Sequence, residues 1–298
     1  MHAPLSRRTA PFMSLVLVTA IWGVTFVQVK DAVALYPLFA FLAVRFVIAS
    51  LTLSVPAARL LRGLGRRGFL AGAALGVLLG SGYALQTAGL ERTTVSSTGF
   101  ITGMYVVLTP LLGLALFRTP VALVTWLGVG LAVAGLALLS GIQTGDALGD
   151  LLVLLGAVVY ALQIVAMERF APRFDPLALT FVEMAAAAAG LLVVALALGQ
   201  LTVPRGWTVW GALLVTGVFA SALAYLFQTW AQRRLDATRT ALAFALEPVW
   251  TGVFGFALAG DRLGAAGWAG CAFILAGIVV AEPAAAAVLR GLVRPRAA

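Results

Sequence analysis

The fold class predicted for this chain is all-α and integral to a membrane, with ten transmembrane helices arranged as two inverted five-helix repeats. Three observations carry that prediction. Hydrophobic residues make up 62% of the 298 residues and charged residues only 10%, where soluble domains carry about 25% charged; mean hydropathy is +1.05. Ten apolar runs each approach the roughly 20 residues needed to cross a hydrocarbon core of about 30 Å. The chain also repeats itself at a near-constant offset.

The runs can be taken in order. Span one, Phe12 to Val29, is retained, because bulky Ile21-Trp22 and then Lys30 offer no small-residue cleavage site; Arg7-Arg8 is not an export signal when nine more spans follow. Span two runs from Pro37 to Val55 and span three from Phe69 to Gly89, with Gly72, Gly76 and Gly80 forming a small-residue ridge. Span four, Ser96 to Phe117, repeats that spacing at Gly99 and Gly103 and contains Pro110. Span five is Val121 to Gly141, span six Leu148 to Met167, span seven Pro176 to Leu198 and span eight Trp207 to Ala231. Span nine, Thr240 to Ala259, contains Pro248, and span ten is Gly264 to Glu282. Strands of a membrane barrel would alternate with period two over about 10 residues, and these runs are continuous.

A net charge of +9 raises the question of nucleic acid, and the placement of the charges answers it. With the N-terminus inside, fifteen of the twenty basic residues fall in cytoplasmic segments, among them Arg59, Arg62, Arg66, Arg67, Arg233, Arg234 and Arg239; only Lys30, Arg92, Arg205 and Arg262 fall outside, and Arg45 lies within a span. The positive-inside rule puts both termini in the cytoplasm, and no nucleic acid is expected. Cys271 and His2 are the only residues of their kinds, which leaves no framework for disulfides or cysteine-ligated metal; no cofactor is expected.

YALQT at Tyr83–Thr87 matches YLFQT at Tyr225–Thr229 at an offset of 142, as Trp126 matches Trp268 and Ala134-Gly135 matches Ala276-Gly277. Pro110 in LTPLLG answers Pro248 in LEPVWTG, and Pro37 answers Pro176. The domains are therefore read as residues 1–145 and 146–298, and because five is odd the second enters the membrane upside down.

TAIWGVTF, LQTAGLERTTVSSTGFITGMYVVLTPLLG and ALAFALEPVWTGVFGFALAGDRLGAAGWAGCAFILAGIVV resemble the EamA-type permeases of the drug/metabolite transporter superfamily. The resemblance covers nearly the whole chain. It implies an inner-membrane secondary transporter that exports or exchanges a small metabolite such as an amino acid, through a cavity between two halves.

Candidate site residues follow from the cost of polar groups inside a bilayer, on the order of 3 kcal/mol for a charge at helix centre. Glu247 is about 12 Å from Arg239 and about 21 Å from Asp261 along a helix, too far for its short side chain to reach either surface. Beside it, Pro248 breaks the backbone ladder. A coupling group and a structural acid bonded to a neighbouring helix are both open readings. Arg45 and Glu183 occupy corresponding places in spans two and seven, but inversion sets them at different depths, so separate partners are expected, Arg45 drawing a carboxylate or resting on helix carbonyls. Tyr83 with Gln86 and Tyr225 with Gln228 share helix faces at i and i+3 and are expected at an outer and an inner gate, unless they serve as interhelical polar contacts. Trp22, with Gly23 beside it, is expected to face the seam between the halves, as are Tyr105 and, downstream of Tyr160, Gln163. Asp146 and Asp150 look like solvated loop charges.

An integral-membrane enzyme needs clustered catalytic groups, and these carboxylates are scattered; a passive channel is the nearer alternative. The expected partners are a small-molecule substrate, lipid and protons, with nothing in the sequence that calls for more than a monomer.

Overall fold

Apolar runs bounded by proline, glycine and short polar connections become helices here because a backbone in hydrocarbon has to satisfy its own hydrogen bonds. The computed structural model describes residues 5–140, 146–258 and 264–282; His2, Asp261, Arg262, Arg290, Arg294 and Arg296 lie outside the described residues. No strand occurs among those described. The helices are α1 (Leu5–Val33), α2 (Leu38–Ala57), α3 (Leu61–Leu90), α4 (Val95–Gly103), α5 (Tyr105–Phe117), α6 (Leu123–Ser140), α7 (Ala147–Phe170), α8 (Pro176–Ala197), α9 (Trp207–Val215), α10 (Ala224–Gln232), α11 (Ala237–Phe244), α12 (Glu247–Leu258) and α13 (Ala265–Ala281). A π-helical segment, Thr216–Leu223, joins α9 to α10. Since α4 runs into α5 and α11 into α12 across short breaks, the described residues form ten helical units, seven of them long and apolar enough to cross a membrane.

The starts of α4, α7, α8 and α11 carry side-chain caps, which give N-terminal N–H groups the partners they lack. Thr94 accepts from Ser97 N at the start of α4, and Asp236 accepts from Arg239 N at the start of α11. Asp175 caps α8 ahead of Pro176. Asp146 is exposed, as expected of a solvated charge, yet accepts from Leu148 N as the cap of α7; Asp150 departs from that expectation, half-buried and accepting from Thr93 Oγ1 at 2.5 Å. At the other end of α7, Glu168 accepts from Ala237 N at 3.0 Å. One continuous helix thus holds the first turns of both broken ones.

Glycines set the closest helix contacts. A Cβ on Gly128 would lie 2.5 Å from the Gly277 carbonyl and one on Gly277 2.4 Å from the Gly128 carbonyl; Gly135 and Gly270 face each other in the same way at 2.6 Å. The α6–α13 contact is therefore backbone against backbone. On α3, Gly76 meets the Glu183 carbonyl and Gly72 meets Val182 of α8. Gly99 departs from the ridge expected of it: nothing lies near it, and it borders a cavity where only Gly103 packs, against Leu136. Large apolar side chains on the outer faces, such as Leu51, Val77, Leu123 and Val193, are exposed, as a lipid-facing surface requires.

Candidate functional site

The breaks in the helices locate the site. Proline at 248 has no N–H for the carbonyl of Phe244 four residues back, and the ladder stops there, with Ala245 and Leu246 between α11 and α12. Glu247 becomes the first residue of α12, its carboxyl turned into a cavity of about 590 Å³ that also receives Phe244 and Pro248. Near the middle of the span made by α9 and α10, the π-helical segment shifts the hydrogen-bond register, a geometry common at functional sites.

That segment holds Arg45. The guanidinium Nε donates to Ser221 Oγ at 2.7 Å and an Nη2 hydrogen to the Ala220 carbonyl at 3.2 Å. Its Cζ lies 5.4 Å from the Tyr83 ring centroid, a cation–π distance. Burying a guanidinium costs several kcal/mol unless it is bonded; two donors and a ring offset that cost, and the fork's remaining N–H groups are left for the cavity it lines. The Ala220 carbonyl also accepts from Trp22 Nε1 at 2.8 Å. Trp22 packs at 4.9 Å on Phe244 and 5.9 Å on Tyr225, and so presents its ring to the cavity. Behind it, a Cβ on Gly23 would lie 2.5 Å from Trp250 Cβ, so glycine is what lets α12 approach α1.

The two tyrosine–glutamine motifs meet instead of standing at opposite gates. Tyr83 and Tyr225 bring their hydroxyls to 3.3 Å, and Tyr83 packs edge-on to Tyr160 at 5.5 Å. Depth counted along a helix ignores where a long side chain points, and the rings lean back to a common level. Only the glutamines diverge. Gln86 donates to Thr102 Oγ1 at 2.9 Å and accepts from Tyr160 OH at 3.0 Å, whereas Gln228 donates to Gln163 Oε1 at 3.1 Å.

Ten of the twelve residues singled out in the sequence therefore line one cavity: Trp22, Arg45, Tyr83, Gln86, Tyr105, Gln163, Tyr225, Gln228, Glu247 and Pro248. Two do not. Pro110 is buried in α5 off the cavity, and Glu183, fully buried in α8, is bonded to Gln163 behind the cavity wall. Arg45 and Glu183 do have separate partners. Sequence reasoning missed Ser221, the Ala220 carbonyl, Thr102 and Phe244. Ser221 and Thr102 were detectable as polar residues inside apolar runs; a backbone carbonyl that accepts from two side chains leaves no mark in the sequence.

The cavity is one-sided. Its lining extends to Val33, Leu38, Leu90 and Ser140, all at helix ends on one face, and stops in the other direction at Ile164, Gln228 and Phe244. Beyond that floor, Glu168 holds the start of α11, and Arg239 pairs with buried Glu282 at 3.0 Å.

The profile of the EamA-like transporter family matches the chain twice, over residues 10–141 and 147–281. An uncharacterized transporter of Archaeoglobus fulgidus is 31% identical over 277 residues, 92% of this chain and 86% of that protein. The uncharacterized transporter YyaM of Bacillus subtilis is 31% identical over 186 residues, 59% of this chain and 60% of its own. A protein of known crystal structure superposes with a TM-score of 0.79 at 20% identity, over 94% of this chain and 99% of that one, a likeness of fold alone.

Proposed function

This chain is a multi-pass membrane protein of the EamA-like transporter family, and on that premise we propose that it is a secondary transporter that exports or exchanges a small amphipathic metabolite, an amino acid being the best fit. The observation that carries the reading is the composition of the cavity: a bonded arginine and an unbonded carboxyl, Arg45 and Glu247, share about 590 Å³ with the rings of Trp22, Tyr83, Tyr105, Tyr160 and Tyr225. A zwitterion places its carboxylate on the guanidinium fork, its ammonium on the Glu247 carboxyl and a ring face, and its side chain among apolar walls.

The mechanism we infer is alternating access between two five-helix halves of opposite orientation, residues 1–145 and 146–298, in the bacterial inner membrane with both termini cytoplasmic. The double family match supports this division. So do two sets of contacts: Tyr83 meets Tyr225, its equivalent 142 residues on, and Gly128 and Gly135 each meet the equivalent of the other, Gly277 and Gly270. An axis that exchanges the halves would bring such equivalents together. In that orientation the open end of the cavity faces outward, and the contacts of Glu168, Arg239 and Glu282 close the inner end. A passive channel fits less well, because it needs a lining that reaches both faces.

Purified protein in liposomes, loaded with labelled amino acids or purines and given a pH gradient, tests the reading. Saturable flux that unlabelled substrate accelerates from the far side is expected. Conductance without saturation would replace the carrier with a channel.

A further inference from the structure

The two broken spans bring equivalent residues to the same cavity. Thr94 caps α4 and Asp236 caps α11, 142 residues apart. Past the breaks, α5 starts at Tyr105 and α12 at Glu247, again 142 residues apart. Both side chains line the cavity, and Tyr105 is near enough to Glu247 to feel its charge.

This corner holds a surplus of acceptors. Pro248 has no N–H for the Phe244 carbonyl, and Val249 N does not bond the Ala245 carbonyl, so among the described residues neither oxygen receives a hydrogen bond. The Glu247 carboxyl receives none either, and joins no ion pair among those residues. Tyr105 adds a further oxygen. Of the four tyrosines on the cavity, Tyr83 and Tyr225 share their hydroxyls and Tyr160 donates to Gln86, whereas the Tyr105 hydroxyl makes no hydrogen bond among the described residues. Phe244, Ala245 and Glu247 all line the cavity. Backbone oxygens left unbonded at this depth find a polar partner only there, because lipid offers none.

A carboxylate, two carbonyls and a hydroxyl oxygen call for a positively charged donor, and their arrangement selects its kind. They come from one break and one neighbouring side chain, so they gather around one end of a guest and leave its other end to the cavity. A hard metal ion asks for about six oxygens on all sides. An R–NH3+ group asks for three acceptors on one side and keeps its carbon on the other.

We propose that the break between α11 and α12, together with Tyr105, is a subsite for a primary ammonium group. One N–H donates to the Glu247 carboxylate, the second to the freed carbonyls of Phe244 and Ala245, and the third to the Tyr105 hydroxyl oxygen. The carbon substituent extends into the cavity that Arg45 also lines. Trp22 and Phe244, with ring centroids 4.9 Å apart, border the site, and ring faces attract any organic cation. The oxygens add a preference that rings lack, for the number of N–H groups the cation carries. The subsite therefore selects primary amines over N-methylated amines of equal charge. Its use in transport rests on the reading above; the ammonium site itself does not.

The test is saturation-transfer NMR on the full-length protein in lipid nanodiscs, with protein-free discs as the blank. The probes are 3-methylbutylamine and its N-methyl and N,N,N-trimethyl forms at neutral pH, where each carries one positive charge and three, two or no N–H groups. Affinity is expected to fall by about tenfold on the first methylation, the equivalent of one hydrogen bond to a charged group, and again for the trimethyl form. Pro248→Ala returns an N–H to the Phe244 carbonyl, and Tyr105→Phe removes the hydroxyl while keeping the ring. Each should weaken the primary amine by about tenfold and so narrow its advantage over the trimethyl form. A trimethyl form that binds as well as the primary amine overturns the subsite in favour of an aromatic cage, and sodium chloride that displaces the amine at equal concentration overturns it in favour of a metal ion. Absence of amine binding overturns it outright. If either variant fails to fold by circular dichroism, the wild-type ranking of the three amines decides alone. Absence of amino-acid flux in liposomes with that ranking intact would count against transport and leave this site standing.

Discussion

The α6–α13 contact gives the sharpest test of the packing argument, through Gly277→Ala. A Cβ at 277 would sit 2.4 Å from the Gly128 carbonyl and 3.0 Å from Ala132 N, both backbone atoms that cannot rotate away. Contact at 2.4 Å is roughly 1 Å short of van der Waals separation, so the two helices must part by about that much along the interface. Overpacking of this kind costs about 1–3 kcal/mol. The control is Gly130→Ala, two residues along α6 from Gly128, where nothing lies within 4 Å; there alanine gains up to about 1 kcal/mol of helix propensity. The two substitutions should therefore shift stability in opposite directions, read by equilibrium unfolding in mixed micelles. Gly128→Ala should cost as much as Gly277→Ala, because each Cβ meets the other's carbonyl. The double variant should cost less than the sum, since one separation serves both, with a coupling of about 0.5–3 kcal/mol. If Gly277→Ala proved as stable as Gly130→Ala, the close backbone contact would be wrong.

Four further outcomes are expected. Glu247→Gln should abolish uptake driven by a pH gradient while exchange of labelled for unlabelled substrate, measured in the same liposomes, persists at saturating substrate with a raised apparent KM; equal loss of both at saturation would assign it to binding alone. Arg45→Lys should weaken apparent affinity for a carboxylate substrate by about tenfold or more, since a point charge cannot hold Ser221 and the substrate in one fork, and Ser221→Ala should weaken it less. Trp22→Phe keeps the ring but not the N–H to Ala220, and should cost about 0.5–1.5 kcal/mol in chemical unfolding. Asp236→Ala removes the cap of α11 and should cost about 1 kcal/mol by the same measurement, with Asp236→Asn restoring most of it.

Membrane class, the ten helical units and several of the polar residues that line the cavity were legible in the sequence alone, and the physics explains why. Lipid tolerates only long apolar helices, so a short list of polar residues within them, Arg45, Gln86, Gln163, Gln228 and Glu247, is conspicuous, and ten of twelve such choices line one cavity. Proline beside Glu247 marked a break because its effect on the backbone is covalent and local. Where each side chain went was a different matter. The tyrosines met at 3.3 Å instead of guarding two ends, and Arg45 found a carbonyl within the π-helical segment. Glu183 was drawn to Gln163 behind the wall, and Asp150 was claimed by Thr93. Composition and spacing report what a residue costs in hydrocarbon. Which neighbour offsets that cost depends on helix tilt, register and the reach of side chains from other helices, and only the packed structure decides those.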